Sequence, residues 1–238
     1  MLKILACIVF TSILNFSYAQ LFGGQIKTNK TWANSYPSGS IFCASGPTAI
    51  VEVTNPTTGK VWMDRNLGAS QVATSSTDAA AYGDLYQWGR RSDGHQCRNS
   101  ATTTTLSSVD QPAHGDFIRS SLEDWRSPMN DNLWQGINGV NNPCPFGFRI
   151  PIRSELENEQ WSWSSANDLG GFNSPLKFTI AGYRRLSNGV LSTVGTQGYY
   201  CSSTVSTNRQ INMYYSTTFA NFSNGLRGHG FSVRCIKN

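Results

Sequence analysis

The amino-terminal segment decides where this 238-residue chain folds. A basic residue precedes an apolar run over residues 4–14, and Ser17 and Ala19 provide the small side chains of a signal-peptidase site. The run is shorter than the about 20 residues that a bilayer-crossing helix needs. We predict that residues 1–19 are a cleaved signal peptide and that the protein is secreted or held at the cell surface. A lipoprotein is the alternative, because the sequence ending in Cys7 resembles a lipid-attachment box.

Export places the remaining cysteines in an oxidising compartment, where disulfides form. None of them belongs to a C-x-x-C motif or has a histidine at zinc spacing, so no metal site is predicted. Their odd number leaves at least one thiol unpaired. We expect two structural bridges and one buried thiol, with a reactive or intermolecular thiol as the alternative. The cysteines beyond the signal are Cys43, Cys97, Cys144, Cys201 and Cys235.

Charge is scarce in this chain. Charged residues make up 14% of it, and the net charge of +5 becomes +4 once Lys3 is removed with the signal. Lysine and arginine form no block, which argues against nucleic acid as a partner. No segment after the signal is apolar enough to span a membrane. A surface of hydroxyls, amides and aromatic rings is typical of a protein that contacts a glycan or another extracellular protein.

The pattern along the chain predicts a single α+β domain with much irregular loop. Residues 20–45 form a polar, turn-rich lead-in that we expect to be loosely held. Alternation over residues 49–54, a turn and a return strand predict a β-hairpin, whereas residues 92–116 are a long polar loop. A helix is predicted over residues 154–161, with Ser154 as its cap.

Several further elements are weaker predictions. Residues 78–88 are compatible with a second short helix, and after Pro175 short strands alternate with turns. The predicted late strands are residues 176–183, 190–194, 198–203, 210–215 and 231–236.

Four sequence motifs, taken together and in their order along the chain, resemble those of a known family. They are Val-Trp-Met-Asp-Arg-Asn-Leu-Gly-Ala at residues 61–69, Ala-Tyr-Gly-Asp-Leu-Tyr-Gln-Trp-Gly-Arg at 81–90, Asn-Pro-Cys-Pro-Phe-Gly-Phe-Arg-Ile-Pro at 142–151, and Gly-Phe-Ser-Val-Arg-Cys-Ile at 230–236. Together they resemble the Fibrobacter succinogenes major paralogous domain, found in exported proteins of Bacteroidetes and Fibrobacteres. The resemblance covers residues 46–238 and implies a fold and a compartment, but no activity.

A more distant similarity concerns the fold. Gly-Phe-Arg-Ile-Pro at residues 147–151 before a Glu-rich helix, with Gly-Phe-Ser-Val-Arg near the end, looks like the formylglycine-generating-enzyme branch of the C-type-lectin-like fold. This implies small twisted antiparallel sheets, one or two short helices, and a last strand that returns beside the first. Enzymes of that branch use two thiols, whereas only Cys201 lies in the comparable region. A divergent oxidase or another extracellular enzyme is therefore the alternative function.

Aromatic side chains supply the candidate binding residues, because sugars stack their apolar faces on rings. Four tryptophans lie within the family motifs or between them, and we expect them in the core: Trp62, Trp88, Trp125 and Trp134. The candidates for exposed ligand contact are Trp161, Trp163, Tyr183, Arg184, Tyr199 and Tyr200. The tripeptides of calcium-dependent lectins are incomplete here, so no cofactor is expected; a structural calcium at Asp64 or at residues 78–84 is left open.

No catalytic constellation is complete. The chain has three histidines, His95, His114 and His229. Only their three-dimensional arrangement could show whether one of them belongs to a catalytic triad. The acids Glu155, Glu157 and Glu159 are interpreted as a solvated helix face. Arg65, Arg90, Arg149 and Arg234 are expected to tie loops together, with Asp64 and Asp84 as partners. The expected disulfides are Cys144–Cys235 and Cys43–Cys97, with Cys201 free. The hypothesis is a non-enzymatic, adhesion-type binding domain.

Overall fold

The structure is a computed structural model that describes residues 32–238. The predicted signal peptide and the first part of the lead-in lie outside this range. The described chain is α+β, with short strands, two helices and many turns. The strands are Glu52–Thr54 (β1), Val61–Met63 (β2), Tyr86–Gln87 (β3), Thr102–Thr103 (β4), Phe117–Ile118 (β5), Phe148–Arg149 (β6), Tyr183–Arg184 (β7), Leu191–Ser192 (β8), Gln197–Ser206 (β9), Arg209–Ser216 (β10), Ala220–Gly225 (β11), Gly230–Phe231 (β12) and Ile236–Lys237 (β13). The α-helices are Arg153–Trp161 (α1) and Asp168–Asn173 (α2), and 3-10 turns occupy Trp32–Ser35 and Ala79–Ala81.

The strands form small sheets that are antiparallel except for one pair. Their orders are β1-β2-β13-β6, β11-β10-β9 and β3-β12-β7-β8, while β4 and β5 pair in parallel. The predicted hairpin is present, with Val53 opposite Trp62. The last strand, β13, lies between β2 and β6, so the carboxyl end of the chain returns to the first hairpin. Within residues 32–238, neither helix has the length and apolarity that a bilayer crossing requires.

Helix α1 forms where it was predicted, but its amino end is capped differently. The helix begins at Arg153, and the Glu155 carboxylate accepts a hydrogen bond from the backbone N–H of Ile152 at 2.9 Å. Ser154 is therefore not the cap. The second predicted helix reduces to the turn Ala79–Ala81, capped by Asp78. Residues 176–182 run outside the sheets, and strand β7 starts only at Tyr183.

Helix α2 was not predicted, because two glycines lower its helix propensity. Close packing explains them. A Cβ on Gly170 would lie 1.8 Å from the Ser165 carbonyl oxygen, and one on Gly171 would lie 2.9 Å from the Trp163 ring. The helix is capped by Asn167, whose side-chain oxygen accepts the Gly170 N–H at 3.0 Å. Tertiary contact, not propensity, thus determines this element.

The core consists of two large aromatic clusters and a small third one that contains Trp125, and all four tryptophans expected there are buried. Disulfides join Cys43 to Cys97 and Cys144 to Cys235, the two pairs expected from the sequence. The lead-in is not loosely held in its described part. Tyr36 is buried in the first core cluster, where its hydroxyl donates to the Thr48 carbonyl, and Cys43 is bridged.

Buried arginines tie the loops together, as predicted. Arg234 donates from Nε and Nη2 to the side-chain oxygen of Asn66 at 3.1 and 2.8 Å and from Nη1 to the Leu176 carbonyl. Its guanidinium also lies 5.0 Å from the Phe178 ring centroid. Arg65 pairs with its neighbour Asp64 at 2.7 Å.

Asp84 does not take the role expected of it. Its carboxylate packs directly on Gly68, where a Cβ would lie 2.2 Å from the Asp84 Cγ. It forms no hydrogen bond or ion pair with another side chain in residues 32–238. Burial raises the pKa of Asp84 to about 7, against an opposing effect of the Arg98 charge. Because the Asp84 carboxylate has no such partner, its ionisation lowers the stability of the folded state at neutral pH.

Candidate functional site

The structure separates the six predicted contact residues into exposed and buried members. Trp161 is 71% exposed at the end of α1, whereas Trp163, two residues later, is 8% exposed and packs edge-on against Tyr215. Residues two apart on a helical turn point to opposite sides. The aromatic patch expected from Trp161 and Trp163 together with the two tyrosines of β9 therefore does not form.

The same separation occurs in the two strands, where neighbouring residues face opposite sides of the sheet. Tyr200 is buried, and its hydroxyl accepts the Thr179 N–H at 3.1 Å. Arg184 is also buried and donates from Nη2 to the Ser100 carbonyl at 2.7 Å. These residues, like Trp163, are structural, which corrects their assignment as ligand contacts.

Trp161 borders a cleft of about 360 Å³ between helix α1 and the turn that joins β1 to β2. Its walls carry hydroxyls, an amide and two opposite charges beside the exposed indole ring. The other lining residues are Thr57, Thr58, Lys60, Glu155, Asn158 and Ser162. An open ring next to several hydrogen-bonding groups is the arrangement that binds a flat polar ligand with an apolar face.

A buried hydrogen-bond network holds the two walls of the cleft in place. Asn55 donates through Nδ2 to Glu159 Oε2 at 2.6 Å and to Ser162 Oγ at 2.8 Å. Its side-chain oxygen accepts the Thr57 N–H at 2.9 Å. Glu159 also accepts from Trp163 Nε1 at 3.2 Å. Glu159 is thus buried, and the interpretation of the helix acids as a solvated face is wrong for it.

Glu155 brings a fixed negative charge to the edge of the cleft. Arg149 binds both of its carboxylate oxygens, at 2.8 and 2.7 Å. Burial opposes ionisation of Glu155, but these bonds and the Ile152 N–H outweigh it and keep the pKa of Glu155 below its usual value. Lys60 adds a further positive charge. Among the residues that line the cleft, Glu155 and Lys60 carry opposite charges, which suits a neutral ligand.

Tyr183 and Tyr199 lie together on a different surface. Their ring centroids are 4.8 Å apart, and Tyr199 stacks on Phe231 at 5.3 Å and on Tyr214 at 6.1 Å. The Tyr199 hydroxyl donates to Gln197 Oε1 at 2.5 Å. Both tyrosines are half-buried by this mutual packing.

Cys201 is a buried thiol in the first core cluster. Burial raises its pKa well above the ordinary value, which keeps it protonated. The other cysteines in the described part of the chain are bridged, so Cys201 has no second thiol beside it. The two-thiol chemistry considered for the oxidase alternative has no counterpart in this arrangement.

His95 and His229 are each held by different hydrogen-bond partners. His95 is buried, shares a 2.6 Å hydrogen bond with Asp93 and accepts the Gln87 N–H through Nε2. Burial, together with the Arg90 charge, lowers the pKa of His95 to about 4. His229 accepts the Leu186 N–H, and burial lowers its pKa to about 4 as well. Both rings are neutral structural acceptors at neutral pH.

The polar half of the Trp161 cleft was missed from the sequence. The Asn-Pro-Thr-Thr-Gly-Lys stretch at residues 55–60 was identified as a turn, but nothing in it indicates that it faces helix α1 a hundred residues later. The signal that points to the site is the buried Asn55, a polar residue that must find partners. In comparisons with known proteins, no family model, no curated protein and no solved structure matches the chain.

Proposed function

We propose that this protein is an exported, non-enzymatic binding domain that takes a neutral glycan in the Trp161 cleft. The single observation that carries the proposal is the 71% exposed indole beside a cleft whose walls are held by the Asn55–Glu159 hydrogen bond. A large apolar ring left in water at a rigid, hydroxyl-lined cleft suits the apolar face of a sugar ring. Thr57 and Asn158 supply donors and acceptors for sugar hydroxyls, whereas the Ser162 hydroxyl already donates to the Glu159 carbonyl and accepts from Asn55.

The compartment and the family belong to the same proposal. Two disulfides are typical of exported proteins and support secretion or cell-surface display. The four ordered motifs support membership of the Fibrobacter succinogenes major paralogous domain family. The return of β13 to β2 supports a C-type-lectin-like arrangement.

A glycan array followed by titration calorimetry tests the proposal. Trp161→Ala is expected to weaken binding of the best neutral glycan about tenfold or more, since it removes the stacking surface. Phe146→Ala is the matched control, because Phe146 is also an aromatic side chain with 68% exposure but does not line the cleft. An equal loss in both variants, or a glycan whose affinity is unchanged by Trp161→Ala, would overturn the assignment of the site.

A further inference from the structure

A second cleft, of about 300 Å³, lies where the parallel pair β4–β5 ends. One wall is Thr104 and Leu106, which follow β4, and another is residues 119–122, which follow β5. Ser187, in the turn between β7 and β8, provides the third wall. The Ser120 N–H donates to the Leu186 carbonyl at 3.2 Å and so ties the second wall to the third.

Arg119 lines this cleft and has no counter-ion among the described residues. Its guanidinium forms no hydrogen bond or ion pair with any part of residues 32–238, and its Nε is enclosed and unpartnered. The side-chain stem lies beside Gly189, where a Cβ would lie 3.3 Å from the Arg119 Cδ. Enclosed N–H groups without a hydrogen-bond partner also occur on Arg126 and Arg227, but those two guanidinium groups pair with Asp110 and Asp131. An enclosed, unpaired donor of this kind lacks an acceptor.

The remaining lining residues are suited to complete an oxyanion site. The hydroxyls of Thr104, Ser121 and Ser187 make no hydrogen bond within the described chain, and Ser120 uses its oxygen only to accept the Leu122 N–H. No acidic residue of the described part of the chain lines the cleft. Hydroxyls can each donate one proton to an anionic oxygen. Leu106 and Leu122 form an apolar rim beside them.

We propose that the Arg119 cleft binds the sulfate ester of an acidic extracellular saccharide. A guanidinium fork binds two oxygens of a tetrahedral oxyanion, and the surrounding hydroxyls bind the oxygens that remain. The leucine rim and the cleft volume leave room for the sugar ring that carries the ester. A saccharide is favoured over a phosphopeptide because, among residues 32–238, Arg119 is the single cation that lines the cleft, whereas a doubly charged phosphate is typically held by several arginines. This site is separate from the Trp161 cleft and does not depend on it.

Calorimetry with a galactose 6-sulfate oligosaccharide and with its desulfated form tests the proposal. The sulfated form is expected to bind the wild type about tenfold more tightly than the desulfated form. Arg119→Ala should make the two affinities equal, and Arg119→Lys should restore only part of the difference because lysine lacks the planar fork. Arg153→Ala is the control, since it removes the same charge from an exposed position outside the cleft.

The outcomes separate this site from the other one. Equal losses in the two alanine variants would show non-specific charge attraction and overturn the proposal, as would tighter binding of a phosphoserine peptide than of the sulfated saccharide. Inorganic sulfate should compete with the sulfated saccharide and leave neutral-glycan binding unchanged. Conversely, Trp161→Ala should leave the sulfate preference intact, so a failure of one site is distinguishable from a failure of the other.

Discussion

The amide of Asn55 lies 2.6 Å from the carboxylate of Glu159, and this one hydrogen bond joins the first hairpin turn to a helix that follows 104 residues later. Both side chains are fully enclosed. Burying a carboxylate is costly unless donors satisfy it. The hydrogen bond between Asn55 and Glu159 therefore fixes the relative position of the two walls of the Trp161 cleft and also stabilises the fold.

Asn55→Ala should lower the free energy of unfolding by about 2 kcal/mol, because it leaves one Glu159 oxygen without its donor. Urea denaturation measures this. Thr57→Ala, in the same turn but exposed, should change stability by less than about 0.5 kcal/mol. Similar losses in the two variants would show that the turn sequence, and not the bond to Glu159, is what matters.

Asp84 predicts an unusual dependence of stability on pH. Its folded pKa of about 7 lies above the unfolded value of about 3.9, so the protonated form is favoured in the native state. Its contribution is fully present below pH 4 and is lost as pH rises towards 7, at about 1.4 kcal/mol per pH unit at most. Asp84→Asn cannot ionise. The difference in unfolding free energy between variant and wild type should therefore grow in favour of the variant from pH 5 to pH 8. A difference that stays constant over this range would contradict the prediction.

Arg234→Lys should cost about 2 kcal/mol or more, although it keeps the charge. Lysine cannot direct two N–H groups at the Asn66 oxygen while also reaching the Leu176 carbonyl, and buried acceptors would lose their donors. Thermal unfolding followed by circular dichroism measures the change. Arg153→Lys, at an exposed position, should leave the midpoint nearly unchanged. No difference between the two variants would mean that the fork of Arg234 contributes nothing.

Cys201 should be unreactive in the folded protein. With the chain expressed from Gln20, a maleimide should label no thiol under native conditions and one thiol in guanidinium without reductant, as counted by mass spectrometry. The reason is burial, which both blocks access and keeps the thiol protonated. Labelling in the native state, or a count other than one after unfolding, would contradict the described pairing.

The sequence predicted correctly those elements whose whole pattern lies within a short stretch of the chain. The hairpin of β1 and β2 has alternation over residues 49–54 followed by a turn that contains Pro56 and Gly59, and the four tryptophans expected in the core are buried there. Helix α1 was located within one residue. Its acids were misjudged because the partners that bury Glu155 and Glu159, Arg149 and Asn55, lie outside the helix.

Only some of the residues proposed for the candidate site could be assigned correctly from the sequence. Each suspected pair, Trp161 with Trp163, Tyr183 with Arg184 and Tyr199 with Tyr200, has one outward and one inward member. Composition identifies such pairs, but only the register of the element decides which member faces water. The lining of the Arg119 cleft comes from three separated segments, so no local pattern contains it.

The positions of the two disulfides determine which segments of the folded chain a pulling force can extend. Cys43–Cys97 and Cys144–Cys235 close covalent loops over 54 and 91 residues, and a pull applied between residues 32 and 238 passes across them. Both walls of the Trp161 cleft lie inside these loops. The longest stretch left to extend is residues 97–144, which can be drawn out to roughly 160 Å. Because Arg119 belongs to that stretch, mechanical load would dismantle its cleft while the backbone on each side of Trp161 stays covalently shielded.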